Sequence, residues 1–188
     1  MGRFHFKETG IKDLYIIDVE PFGDSRGYFM ETYNEKDFHD AGLTMRFVQL
    51  NESRSRQGVL RGLHFQKQFP QGKLVRCTKG EVFDVAVDLR PSSETYGKWH
   101  GVLLSEENKR QFYVPEGFAH GFYVLSDVAE FVYMVTNLYH PEDEGALLWN
   151  DPDVGIEWPL IDGVEVLLSD KDRKNPTLKE LNGQKGGS

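Results

Sequence analysis

Val82-Phe83-Asp84-Val85-Ala86-Val87-Asp88-Leu89 is the stretch that decides the fold, because it is rich in β-branched side chains and free of glycine and proline. Successive side chains of an extended chain leave on opposite faces, so Phe83, Val85, Val87 and Leu89 share one face and Asp84 and Asp88 the other. Two carboxylates therefore project together from a strand whose opposite face is apolar. Working outward, extended patterns recur at residues 14–19, 28–33, 47–51, 60–66, 73–78, 99–104, 111–114, 121–125, 130–137 and 146–149, punctuated by Gly, Pro, Asn and Asp. One helix interrupts them. Asn34 is placed to cap residues 35–41, and Gly42 follows where a left-handed residue is wanted. Short strands at regular spacing predict a mainly β fold, a jelly-roll barrel with a few short helices, whose closure removes exposed sheet edges. We read one domain over residues 1–181 and a disordered tail over 182–188, where glycines follow the last large apolar side chain, Leu181.

Composition narrows the function classes. With 188 residues, 39% of them hydrophobic, the chain can bury a real core but not two full domains. A formal net charge of -8 repels nucleic acid and anionic membranes, so neither is expected as a partner. The sequence shows no membrane-spanning run and no apolar core of a signal peptide near Arg3, Lys7 and Glu8, so a soluble cytoplasmic protein is expected. Cys77 is the only cysteine, which excludes an internal disulfide and a cysteine-rich zinc site. Arg54, Arg56, Arg61, Lys67, Lys73 and Arg76 crowd one stretch. They are either solvated charges at strand edges or a local site for an anionic ligand.

In Leu60-Arg61-Gly62-Leu63-His64-Phe65-Gln66, parity puts His64 and Gln66 on one strand face, and Pro115-Glu116-Gly117-Phe118-Ala119-His120-Gly121 supplies a second histidine after a turn. Together they resemble the paired signature of the cupin barrels. Metal-binding cupins supply His-x-His and a downstream Glu from the first segment and one His from the second. Here Gln66 stands at the second ligand and Gln71 near the expected acid, so neutral amides replace strong donors and no metal or other cofactor is expected. A histidine without a metal can serve as a general base near neutral pH. Tyr133, on the face of Phe131 and Val135, would have a half-buried hydroxyl in need of a partner.

A narrower resemblance rests on several pieces in order. They are residues 24–31, Gln49-Leu50-Asn51-Glu52-Ser53, residues 60–66, Gln71-Gly72-Lys73-Leu74-Val75, residues 114–122, Tyr133 with Tyr139, and Ser169-Asp170-Lys171-Asp172. Each is weak alone, but together they resemble the dTDP-4-dehydrorhamnose 3,5-epimerase family over most of residues 1–181. The resemblance implies a dTDP-linked 4-keto-6-deoxy sugar inverted at C3 and C5, and a homodimer. It implies His64 as base, Asp172 as the carboxylate orienting it, Tyr133 as acid and Lys73 as a cation near the keto oxygen. Such a fixed charge is worth about 3 to 4 kcal/mol in a water-poor cavity. It further implies substrate contacts from Arg26, Glu31, Gln49, Asn51, Arg61, His120, Glu144 and Lys171, with Arg26 and Arg61 on the diphosphate and Phe22 and Tyr139 stacked on thymine. Parity together with the resemblance pairs His120 with Asp84. Two alternatives stay open: a single-centre epimerase or ketoisomerase of the same class of nucleotide sugar, and a non-catalytic sugar-nucleotide-binding cupin.

Overall fold

The computed structural model describes residues 3–185. In chain order its elements are β1 (Phe4–Glu8), β2 (Tyr15–Val19), β3 (Phe22–Asp24), β4 (Gly27–Phe29), α1 (Glu35–Asp40), β5 (Gln49–Arg56), β6 (Leu60–Gln66) and β7 (Lys73–Lys79). There follow β8 (Glu81–Asp88), β9 (Trp99–Ser105), β10 (Gln111–Val114), β11 (Phe118–Val124), β12 (Val128–Val135), β13 (Glu144–Ala146) and α2 (Leu178–Lys185). Two antiparallel sheets face each other, ordered β1-β2-β10-β7-β12-β5 and β13-β6-β11-β8-β9, while β3 and β4 form a separate hairpin. Most sheet neighbours are distant in sequence, because the chain crosses repeatedly between the two layers. That is the jelly-roll, cupin-like barrel expected above.

The barrel interior joins Val75 and Cys77 of β7, Val82 and Ala86 of β8, Phe122 of β11 and Phe131 of β12. The outer faces are covered as well. Val85, Val87 and Ala119 pack beneath Leu147, Val154 and Leu178 of the C-terminal segment, and Ile17, Leu74 and Tyr113 pack beneath Phe38 and Leu43. Strands covered on both sides lose polar alternation, which is why all seven residues of β11 are buried. In β8 the expected parity holds, since Val82 and Ala86 join the interior cluster while Val85 and Val87 join the outer one. Both acids are fully buried, and Asp88 takes charge-assisted bonds from Arg90 at 2.8 Å and hydroxyl bonds from Ser93 at 2.6 Å and Thr95 at 2.7 Å. Those four side chains fix the turn leading to β9.

Helix α1 is capped as expected, the Asn34 side chain accepting from Asp37 N, and Gly42 lies at φ 86°. Elsewhere the boundaries differ. The expected turn at 21–27 contains strand β3, β1 was not expected, residues 30–33 belong to no strand, and β13 forms at 144–146 instead of 146–149. The tail reading is corrected in part: α2 carries the chain to Lys185, with Leu178 and Leu181 packed on the outer cluster, and residues 186–188 lie outside the described span. Among the described residues no helix is long and apolar enough to cross a membrane.

Two glycines set the spacing on which the interior site depends. Strands β6 and β11 place His64 opposite His120, and the register shifts between His120 and Phe122. A Cβ on Gly121 would lie 2.4 Å from the Arg61 carbonyl oxygen, and one on Gly62 would lie 2.6 Å from that of His120. Only chain without side chains fits at this crossing. Gly121→Ala should therefore force the strands apart, costing about 1–3 kcal/mol or more and lowering the melting temperature by at least about 3 °C. Gly183→Ala, on an exposed turn of α2 with open space around it, should leave the melting temperature unchanged or slightly raised. Equal melting curves for the two variants would show that the β6–β11 crossing is not tight.

Candidate active site

A cavity of about 320 Å³ opens between the two sheets, and its walls carry most of the polar residues singled out in the sequence. His64, Arg61 and His120 come from the five-stranded sheet, and Lys73 and Tyr133 from the six-stranded one. Glu144 of β13 and the turn at Asp172–Lys174 close one side.

His64 Nε2 lies 2.6 Å from Asp172 Oδ1, a bond that spans 108 residues of sequence. Burial pushes the Asp172 carboxyl up, but the hydrogen bonds from His64, Ser169 and Asn175 outweigh it and hold the group below its ordinary range. An ionised Asp172 fixes the tautomer, because Nε2 must then donate and the lone pair falls on Nδ1. Nδ1 stands 4.0 Å from Glu144 Oε1. Glu144 in turn pairs with Lys171 and receives the Tyr139 hydroxyl at 3.4 Å.

Behind His64 lies a second buried unit. His120 Nε2 is 2.8 and 3.0 Å from the two oxygens of Asp84, which confirms the expected pair. Burial drives His120 toward the neutral imidazole and disfavours charge on Asp84, against which His120 and Lys73 favour the carboxylate. The net effect on Asp84 is a carboxyl raised above its ordinary value, a rise that His120 and Lys73 limit. Lys73 is only 8% exposed, and its Nζ donates to the His64 carbonyl at 3.3 Å. Burial lowers its ammonium pKa to about 8, with Asp84 and Glu144 limiting the fall. Burial raises the Tyr133 phenol above its ordinary value, an effect that Arg61 partly offsets, so the phenol keeps its proton at neutral pH.

Nine of the expected residues line this one cavity: His64, Tyr133, Asp172, Lys73, Arg61, His120, Tyr139, Glu144 and Lys171. Five do not. Gln49 and Asn51 sit beside it on β5, bonded to each other at 2.8 Å, with Asn51 opposite Tyr133 in register. Glu31 accepts from Asn34 at 3.4 Å near the helix cap. Arg26 and Phe22 belong to the exposed β3–β4 hairpin, where Arg26 is tied to Asp24 at 2.6 Å and the Arg3 guanidinium lies 4.2 Å from the Phe22 ring centre. The sequence reading missed Ser53, Ser169 and Phe122 as wall residues. Ser53 shares parity with Asn51, and Ser169 accepts from Asp172 N at 3.0 Å, so both signals were present in pieces already quoted.

The donors are also placed wrongly for a divalent cation. The Gln66 amide is committed to main chain, donating to Phe69 O at 2.6 Å and Leu138 O at 3.1 Å and accepting from His140 N at 2.8 Å. The His64 and His120 Nε2 atoms each face a carboxylate. The residues present do not fit a metal. Cys77 is likewise inert, its thiol pushed up to about 12 by burial.

Comparison with known proteins agrees with this geometry. Residues 8–180 match the profile of the dTDP-4-dehydrorhamnose 3,5-epimerase family. The chain is 56% identical over 180 residues to the dTDP-4-dehydrorhamnose 3,5-epimerase of Methanothermobacter thermautotrophicus, covering 96% of this chain and 97% of the relative. It is 54% identical over 175 residues to that of Escherichia coli K12, covering 92% and 94%. Among solved structures it resembles a dTDP-6-deoxy-D-glucose-3,5-epimerase of Legionella pneumophila in complex with dTDP-4-keto-L-rhamnose, at a TM-score of 0.92 and 50% identity, covering 96% of each chain. A half-buried imidazole paired with a buried carboxylate in the same jelly-roll cavity as a phenol agrees with these matches, which show that the chain belongs to the dTDP-4-dehydrorhamnose 3,5-epimerase family.

Proposed function

We propose that the chain inverts C3 and C5 of dTDP-4-dehydro-6-deoxy-D-glucose to give dTDP-4-dehydro-L-rhamnose. The observation that carries this reading is the His64–Asp172 bond of 2.6 Å in the same cavity as Tyr133 and Lys73. A C–H next to a ketone is acidic because the electron pair left behind spreads onto the carbonyl oxygen. His64 Nδ1 takes that proton, and Asp172 stabilises the imidazolium that forms. Lys73 faces the enolate oxygen, where a desolvated cation gains most from charge that develops only in the transition state. Tyr133, entering from the facing sheet, returns a proton to the opposite face of the planar carbon, and the configuration inverts.

Arg61 and Lys171 supply positive charge for the diphosphate, and Tyr139, 52% exposed, offers its ring to thymine. Arg26 and Phe22 lie outside the cavity of their own chain. We assign them to the cavity of a second copy in a homodimer, a role suited to an exposed hairpin. Strand β1, an edge of its sheet, is free to extend a partner's sheet. A buried, unpaired Cys77 fits a reducing cytoplasm.

Tyr133→Phe should retain proton exchange at C5 while product formation falls by roughly 10²–10⁴, read by NMR of the sugar alongside a coupled assay. Unchanged product formation would remove Tyr133 from its role. The pH profile gives a separate test. Because the Lys73 ammonium titrates at about 8, the cation is present below that value and lost as pH rises through it. The rate should therefore fall above about pH 8. Tyr133 does not produce this limb, since its phenol titrates above its ordinary value. Lys73→Met should lower kcat by about 10²–10³ and abolish the alkaline limb. A limb that survives in Lys73→Met would belong to another group.

A further inference from the structure

Gln66 occupies the second position of a His-x-His pattern, yet its side-chain amide is bonded to main chain. It binds the main chain on either side of Tyr139. The peptide joining Leu138 to Tyr139 gives its carbonyl to Gln66 Nε2 at 3.1 Å and its N–H to Gln49 Oε1 at 3.2 Å. The next peptide donates the His140 N–H to Gln66 Oε1 at 2.8 Å. Both peptides flanking Tyr139 are thus held by side-chain amides from two strands, β5 and β6, on different sheets. A second lock runs alongside, because Asp143 accepts the N–H groups of Gln68 at 2.9 Å and Phe69 at 2.8 Å, and the Phe69 ring stacks on His140 with centroids 4.3 Å apart.

The contrast with the Tyr139 side chain is what makes this arrangement informative. The ring is half exposed at the cavity mouth and its hydroxyl makes only a long contact to Glu144 at 3.4 Å. With so loose a side-chain anchor, the origin and direction of its Cα–Cβ bond, and so the region the ring can occupy, are set by the backbone that Gln66 and Gln49 hold. Gln66 is only 5% exposed, and losing its amide would leave the Phe69 and Leu138 carbonyls and the His140 N–H without their partner. An aromatic platform held before the ligand arrives does not have to be ordered on binding.

We propose that Gln66 is a positioning residue that presets the Tyr139 ring for the nucleotide base, so that the glutamine at a cupin ligand position serves nucleotide affinity and not chemistry. This rests on the reading of Tyr139 as the base-stacking residue given above. Gln66→Met keeps volume and removes all three hydrogen bonds. Gln66→Glu keeps the acceptor for His140 N–H and removes both donors, and it serves as the second variant if Gln66→Met does not fold.

The test uses the full chain, with dTDP alone as probe in calorimetry and the keto-sugar nucleotide for kinetics. Gln66→Met should weaken dTDP binding and raise KM by about tenfold, with kcat within about threefold, and Gln66→Glu, whose carboxylate would face the Phe69 and Leu138 carbonyls, should weaken dTDP binding at least as much. In a double-mutant cycle, adding Tyr139→Ala to Gln66→Met should cost less than twofold further, because the ring no longer contributes once it is unset. Multiplicative losses, dTDP affinity within twofold of the parent, or a matched fall in kcat and kcat/KM would each overturn the proposal. Failure of the parent chain to bind dTDP would overturn the underlying reading, and this proposal with it.

Discussion

The hydrogen bond between His64 and Asp172 is the constraint on which the rest of the molecule depends. It joins a central strand to a turn 108 residues later and requires a buried carboxylate to stay charged. Burial works against that charge. It is offset first by His64 itself and then by hydrogen bonds from Ser169 and Asn175 of the same turn, so the dyad exists only where the C-terminal segment is docked. The docking comes from Leu147, Val154 and Leu178 covering the outer face of the five-stranded sheet. Packing on the outside of the barrel thereby sets the electrostatics within it.

The interior shows how a barrel of acids and bases avoids collapse into neutral pairs. Asp84 and Lys73 are each buried, and each would lose its charge alone. Each limits the shift that burial imposes on the other, and His120 is hydrogen-bonded to Asp84. The Lys73 ammonium lies beside the His64 carbonyl, on the wall of the same cavity.

Local pattern was legible where a strand has one covered face or a sharp punctuation. The limits of β6 and β10 match the sequence reading, and the parity of β8 together with the family resemblance foretold the pairing of Asp84 with His120. Legibility failed where tertiary cover erased the pattern, as at the start of β11, and where a strand is made only by pairing, as in β1 and β3. The resemblance named nine residues that converge on one cavity, across long separations that parity cannot bridge. Arg26 and Phe22 do not converge within a single chain, and no local signal in their hairpin reveals which surface it serves.

The central claim is that one imidazole initiates inversion at both carbons through a planar intermediate. Turnover in D₂O, followed by NMR of the recovered sugar, measures it most directly. The account requires deuterium at C3 and at C5 with the parent protein and at neither with His64→Ala. Label at a single carbon, or label at both carbons at the parental rate without His64, would contradict it.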